Sequence, residues 1–480
     1  MIIINRLLAI VSRKTLLFFL LLQLPVLSQI KIYSIEEAID TALTNNRDIT
    51  ISKLNVNKAG AAVSEAFGYA LPSLDLSGGF THFLKKPKTS FPDFEALLTN
   101  ATYNILFDEG VIPEDDSKYL PMDNKLQTFA QANNFQTDLT LTQVLFNSAV
   151  FEGIGASQIY YDLAKSELSN QVSKTVLSVK KSFYNVLIAK EVLKITQASF
   201  TNADDNFNNV KALYKEGMVS EFDRLQAEVR VENIRPALLQ VENLLVNALN
   251  AFKITLGINQ NDSIDVAGEF VYKPFENIDE SALIDEALSA NYDLKSLDLK
   301  KQVDKAFIQL DVAEYWPSLA TFGNYTYAGS SDNWDYQNYS SFTVGLNLSI
   351  NLWKGNRTKN KVEQSTISYK QTEEQYLLLK DYTTINVKSK ILELKRVQSL
   401  LDVQSRTIEV AERAYNIAKI RYSEGAGSQL ELQNADEDLR QARLNRVQSV
   451  HSYLIAVFEL EQILGRKNPK YFTFYNELKD

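Results

Sequence analysis

The chain has 480 residues, 45% of them hydrophobic and 23% charged, with a formal charge of −9, no cysteine and two histidines. This hydrophobic fraction excludes a disordered chain, and no 18-residue apolar run follows the N-terminal stretch, which argues against a polytopic helical membrane protein. The missing cysteine excludes disulfide scaffolds, thiolate metal sites, thiol nucleophiles and a lipidated N-terminal cysteine. His82 and His451 alone support no multi-histidine metal site, so no metal or cofactor is expected, and no basic block points to nucleic acid.

Residues 1–28 read as an export signal. Arg6, Arg13 and Lys14 form its positive region, Thr15 to Leu27 its apolar stretch, and Val26-Leu27-Ser28 a cleavage site before Gln29. The apolar stretch is short of the roughly 20 residues that a membrane-spanning helix needs, which favours a cleaved signal over an anchor. The chain beyond it carries 47 basic and 59 acidic residues, a charge of −12.

A first structural repeat follows over 29–257. A helix over Asp48 to Ala70 leads through Pro72 into strands expected at about 74–86 and 135–147. Between them, 85–125 is rich in Pro, Asp, Asn and Lys, with Pro87, Pro92, Pro113 and Pro121. It reads as a long loop inserted at a hairpin tip, with room for a short helix within Phe91 to Phe107. A small accessory domain is the other reading. The helical hairpin 149–256 comes next. Its first arm, Ala149 to Tyr214, lacks proline and would reach about 100 Å at 1.5 Å per residue. Val179, Val186, Leu193, Phe200, Phe207 and Tyr214 recur every seven residues, as in a coiled-coil seam. The turn Glu216-Gly217-Met218-Val219-Ser220 then sets Gly where a C-cap and Ser where an N-cap belongs. In the return arm, Glu221 to Leu256, Pro236 should kink the helix or remove one hydrogen bond.

After a linker over 258–280, the pattern recurs over 281–465, with strands at about 319–330 and 339–353, a helical hairpin over 356–464, and a tail over 466–480. The recurrence is visible residue by residue. Asn46 and Leu71-Pro72-Ser73-Leu74 match Asn291 and Trp316-Pro317-Ser318-Leu319 at an offset of 245. Tyr214-Lys215-Glu216-Gly217 and Leu256-Gly257 match Tyr422-Ser423-Glu424-Gly425 and Leu464-Gly465 at 208. The offsets differ because the inserted 85–125 segment has no counterpart in the second repeat. The heptad positions recur as Val387, Leu394, Leu401, Ile408, Tyr415 and Tyr422, followed by the turn Glu424-Gly425-Ala426-Gly427-Ser428. Residues outside the hairpins, about 30–45, 258–290 and 466–480, are expected to form a belt at the junction.

From Phe342 to Leu352 every even position is apolar and every odd one small or polar, and Asp138 to Thr142 alternates likewise. Alternation alone also suits a half-buried soluble sheet. Strands of this length can cross an outer membrane, but four are too few to close a barrel, so three copies would have to share one of twelve strands.

These features resemble the TolC family of outer-membrane efflux proteins. The resemblance spans the mature chain and is most specific at Leu213 to Ser220 and Arg421 to Ser428. It implies a mainly α protein with a membrane β-barrel. In that fold a homotrimer shares a twelve-stranded barrel in the outer membrane, in contact with its lipid, above a coiled-coil tunnel in the periplasm of a Gram-negative cell. It implies an exit duct rather than an enzyme, joined through a periplasmic adaptor to an inner-membrane transporter. By resemblance, Tyr214, Gly217 and Ser220, with Tyr422, Gly425 and Ser428, would dock the adaptor. Glu431 would ring the periplasmic constriction, Asn434 stands where a second carboxylate is common, and Asp223 is the counterpart of Glu431 in the first repeat. Trp334 and Trp353 would mark the membrane interfaces, whereas Trp316 is expected to pack at a helix-to-strand junction. The competing class is a periplasmic coiled-coil adaptor or scaffold without a pore; the alternating strands speak against it.

Overall fold

The computed structural model describes residues 30–275 and 279–466; the export signal and the end of the tail lie outside the described residues. In chain order the elements are β1 (Lys31–Tyr33), α1 (Ile35–Asn45), α2 (Arg47–Gly68), β2 (Ser73–His82), β3 (Thr89–Pro92), α3 (Phe94–Asp108), β4 (Asn124–Gln127), β5 (Asn133–Asn147), α4 (Ser148–Lys215), α5 (Glu221–Leu256), β6 (Ile264–Val266), α6 (Glu280–Ala290), α7 (Tyr292–Val312), β7 (Ser318–Ser331), β8 (Gln337–Ser349), α8 (Arg357–Ser423) and α9 (Gln429–Ile463). They fall into two compact units. A sheet unit comprises Ala62–Ser157 and Lys305–Thr366, and a helical unit takes the rest.

In the sheet unit, β2, β5, β7 and β8 form one antiparallel sheet in that order. Register decides what each face carries. Leu76, Leu139, Tyr325 and Phe342 stand in one row across the four strands, and Ser77, Asp138, Thr326 and Ser341 stand in the next. Because successive side chains alternate, one face is apolar and the other polar. The polar face is tied by its own hydrogen bonds: Thr326 Oγ1 donates to Asp138 Oδ1 at 2.6 Å, and Thr140 Oγ1 to Asn324 Oδ1 at 2.9 Å. Among the described residues no core covers the apolar face; Phe342, Val344, Leu346 and Leu348 are each more than 60% exposed. Among the described residues, β2 and β8 are each left with one unpaired edge.

The inserted segment carries secondary structure of its own. β3 pairs antiparallel with β4, and Asp93 caps α3 by accepting from Glu95 N at 3.1 Å. The rings of Phe94 and Phe129 pack around Phe91 at 5.4 and 5.5 Å. Proline and asparagine mark the turns here, while the three phenylalanines supply the small apolar cluster that orders them.

The helical unit is built around the two repeats. Val179, Phe183, Val186, Phe252 and Leu256 lie in one buried cluster, and their counterparts at an offset of 208, Val387, Ile391, Leu394, Leu460 and Leu464, lie in a second. Tyr184 and Phe270 pack against both. Further along the hairpins the seams narrow to Ala203, Val231 and Ile234, and to Ala411, Leu439 and Ala442, again at an offset of 208. The alanines let the helix backbones approach closely, so little apolar volume is needed there. β1 pairs in parallel with β6, which joins the start of the chain to the linker. The helix α5 runs without interruption through Pro236.

Two matched contacts close each repeat. Asn46 Nδ2 donates to Thr255 O at 2.9 Å, and Asn291 Nδ2 donates to Ile463 O at 2.9 Å. Beside them Gly257 and Gly465 adopt φ of 72° and 64°, and a Cβ on either would stand 2.4 or 2.3 Å from the carbonyl oxygen of Asn45 or Ala290. The motifs repeated at 245 and those repeated at 208 are therefore the two sides of one contact, made twice.

Candidate functional site: the paired helical turns

The turn after α4 is closed by the backbone. Gly217, at φ 71°, donates to Tyr214 O at 3.0 Å, and Met218 N donates to Leu213 O at 2.9 Å. In the turn after α8, Gly425, at φ 72°, donates to Tyr422 O at 3.1 Å, and Ala426 N donates to Arg421 O at 2.8 Å. Each pair of bonds satisfies helix-end carbonyls, and the left-handed residue they require explains the glycine. Ser220 then opens α5 with a capping box: its Oγ accepts from Asp223 N at 3.2 Å, and the Asp223 carboxylate accepts from Ser220 N at 3.2 Å and Ser220 Oγ at 2.6 Å. Ser428 caps α9 by accepting from Glu431 N at 3.2 Å.

The two turns line one groove of about 1460 Å³, with Leu213, Met218 and Val219 on one side and Tyr422, Gly425 and Ser428 on the other. The residues expected from the sequence divide in the structure. Gly217, Ser220, Gly425 and Ser428 shape the turns. Tyr214 is 38% exposed, with the Arg224 guanidinium over its ring. Burial, aided by the Asp223 charge, raises the Tyr422 phenol above its usual value. The Asp223 carboxylate is engaged by its cap. Glu431 is exposed but stands 3.6 Å from Arg421, and Asn434 is exposed. Trp334 and Trp353 lie beyond opposite ends of β8 and are 68% and 82% exposed. Trp316, expected to pack, is 59% exposed, because the chain's two large core clusters lie in the helical unit and neither includes it.

Sequence reasoning missed three features. Arg421 pairs with Glu431 and donates to Ala426 O at 3.1 Å, holding the second turn. Its signal was the unlike pair Leu213 and Arg421 at matched positions. Gln429 is buried, and with its amide nitrogen facing α5 it donates to Asp223 O and accepts from Ala227 N, both at 3.2 Å, bridging the hairpins. Arg230 of α5 reaches Glu437 at 2.8 Å and Asp436 at 3.4 Å on α9, and Ser199 of α4 donates to Asp436 at 3.2 Å. The Arg440 guanidinium, and behind it Arg230, hold the Glu437 carboxyl down at about 2 against the opposing effect of burial. Nothing in the repeat forecasts this cluster, since the position matching Arg230 in the second repeat is Asp438.

The sheet has one apolar and one polar face, and the coiled-coil hairpins end in capped turns. The sequence profile described as Outer membrane efflux protein matches residues 88–257 and 283–466, and the chain belongs to that family. It is 21% identical to Outer membrane protein TolC of Vibrio cholerae, over 68% of this chain and 76% of that one. It is likewise 21% identical to the alkaline protease secretion protein AprF of Pseudomonas aeruginosa, over 69% and 70%. Its fold matches the crystal structure of the CmeC outer membrane channel of Campylobacter jejuni with a TM-score of 0.73 at 16% identity, covering 92% of this chain and 89% of that one.

Proposed function

We propose that this chain is the outer-membrane exit duct of a tripartite efflux or type I secretion system, and that three copies share one barrel. The observation that carries the reading is the sheet: an apolar face with no core against it, a polar face, and two unpaired edges. Exposed backbone edges are not tolerated in hydrocarbon, so β2 and β8 need partners, and joining β8 of one copy to β2 of the next removes every edge. The polar face then lines the lumen. The groove between the turns receives a periplasmic adaptor, which connects the duct to an inner-membrane transporter. Trp334 and Trp353 sit at the two interfaces with outer-membrane lipid, and the exposed Trp316 joins Trp353 at the periplasmic one. No step of this function needs catalysis or a cofactor. Detergent-purified protein is expected to be trimeric and to form stable pores in planar bilayers. A monomer without pores, or a chain recovered wholly in the soluble periplasm, would overturn the reading.

At the constriction, Glu431 supplies the lumen charge, with Asn434 neutral one turn further along α9 and Asp223 withdrawn to its cap. Glu431→Lys is expected to lower cation preference by placing a second cation beside Arg421. Arg421→Ser, which frees the carboxylate, is expected to raise it. Unchanged single-channel records for both variants would remove Glu431 from the lumen.

A further inference from the structure

Charge is sorted along the inserted segment. Lys85, Lys86 and Lys88 lie where it leaves the sheet, whereas Asp108 ends α3 and Glu109, Glu114, Asp115 and Asp116 lie beyond it. The β2–β5 ladder extends one bond past its last pair, with Phe83 N donating to Ala132 O at 2.8 Å. Leu84, in the bend just past the end of β2, is 95% exposed. Lys86 is fixed by Asp332 at 2.5 Å, and Asp332 also accepts from Ala132 N at 2.7 Å. Lys85 and Lys88 are exposed and, among the described residues, lack an ion pair. Phe80 of β2 stacks on Trp334, ring centres 6.1 Å apart.

We propose that Lys85 and Lys88, positioned by the Lys86–Asp332 pair and anchored by Leu84, bind the phosphorylated headgroup of an outer-leaflet glycolipid. The inference rests on the reading of the sheet as membrane-spanning. An exposed leucine flanked by cations keeps its alkyl part in hydrocarbon and the charges in the headgroup layer. The acidic far end of the insertion is repelled by the same phosphates, which turns it away from the leaflet.

The test uses the full chain in detergent, titrated with a diphosphorylated acyl-glucosamine disaccharide and with the same lipid after phosphatase treatment, with bound lipid counted by native mass spectrometry. The phosphorylated lipid is expected to bind preferentially. Lys85→Gln with Lys88→Gln should weaken it about 25-fold, at about fivefold for each lysine beside an anionic surface. Binding of the dephosphorylated lipid should not change. Equal binding of both lipids by the unmodified chain, or unchanged affinity in the double variant, would overturn the proposal. Complete displacement by millimolar inorganic phosphate would assign the lysines to free phosphate instead and overturn the lipid site. Pore conductance is recorded on the same preparations. Pores without lipid discrimination refute this site alone, and absence of pores in the unmodified chain refutes the membrane reading and the site with it.

Discussion

Gly257→Ala and Gly465→Ala are each expected to lower stability by about 2–5 kcal/mol, far more than Gly217→Ala. All three glycines share a backbone constraint, with φ of 72°, 64° and 71°, where an added Cβ costs roughly 1–2 kcal/mol. At Gly217 nothing lies within 4 Å of that Cβ, so the backbone term is all there is. At Gly257 and Gly465 the Cβ meets a main-chain carbonyl at 2.4 and 2.3 Å, which no rotamer change relieves; the resulting displacement adds about 1–3 kcal/mol. The displaced carbonyls precede Asn46 and Asn291, whose amides tie α5 and α9 to the starts of α2 and α7. Thermal unfolding and resistance of the assembled protein to trypsin would measure the effect. Equal shifts for Gly217→Ala and Gly257→Ala would show that backbone conformation alone matters and that the contact does not.

Arg230→Ala should loosen the first hairpin from the second and raise single-channel conductance, with a stability loss of about 1–3 kcal/mol. The guanidinium bridges Asp436 and Glu437, and the Asp436 side chain is 13% exposed, so its removal leaves a largely buried carboxylate held, among the described residues, by Ser199 and Asn202. Hydrogen bonds to charged groups contribute about 1.5–3 kcal/mol, and the 38% exposure of Glu437 places its share toward the lower end. The pH dependence has a definite sign. Glu437 ionises at about 2 in the folded chain against an ordinary 4.5, so its contribution is complete above pH 4.5 and is lost as pH falls toward 2. Arg440 lies on the same helix and makes the larger contribution, so Arg440→Ala should raise the Glu437 pKa more than Arg230→Ala does. Only Arg230→Ala should separate the hairpins. Conductance recorded across this pH range for both variants, with a double-mutant cycle on Arg230 and Asp436, would measure the coupling. Unchanged conductance in Arg230→Ala would remove the cluster from any role in gating.

Much of this protein was legible along the chain because its decisive signals are periodic and local. Seven-residue spacing from Val179 to Tyr214 and from Val387 to Tyr422 announced the long helices, and alternation from Phe342 announced a strand with unlike faces. The turn residues were legible for the same reason: a left-handed C-cap calls for Gly217 and Gly425, and an N-cap for Ser220 and Ser428. The inserted segment was less so, since its order comes from Phe91 meeting Phe129, 38 positions away.

The acidic, cysteine-free composition excluded chemistries but located no charge. Local spacing alone set helix length, strand alternation, turn identity and the duplication, because each depends on neighbours within a few residues. Tertiary structure decided which carboxylates are free. It set Arg421 beside Glu431 and joined Arg230 to Asp436 across 206 residues, whereas the cap that engages Asp223 is local to Ser220. It also revealed that the two repeat offsets meet in one contact, Gly257 against Asn45 and Gly465 against Ala290. Those outcomes turn on distances of a few ångströms between residues remote in the chain, and periodicity carries no information about them.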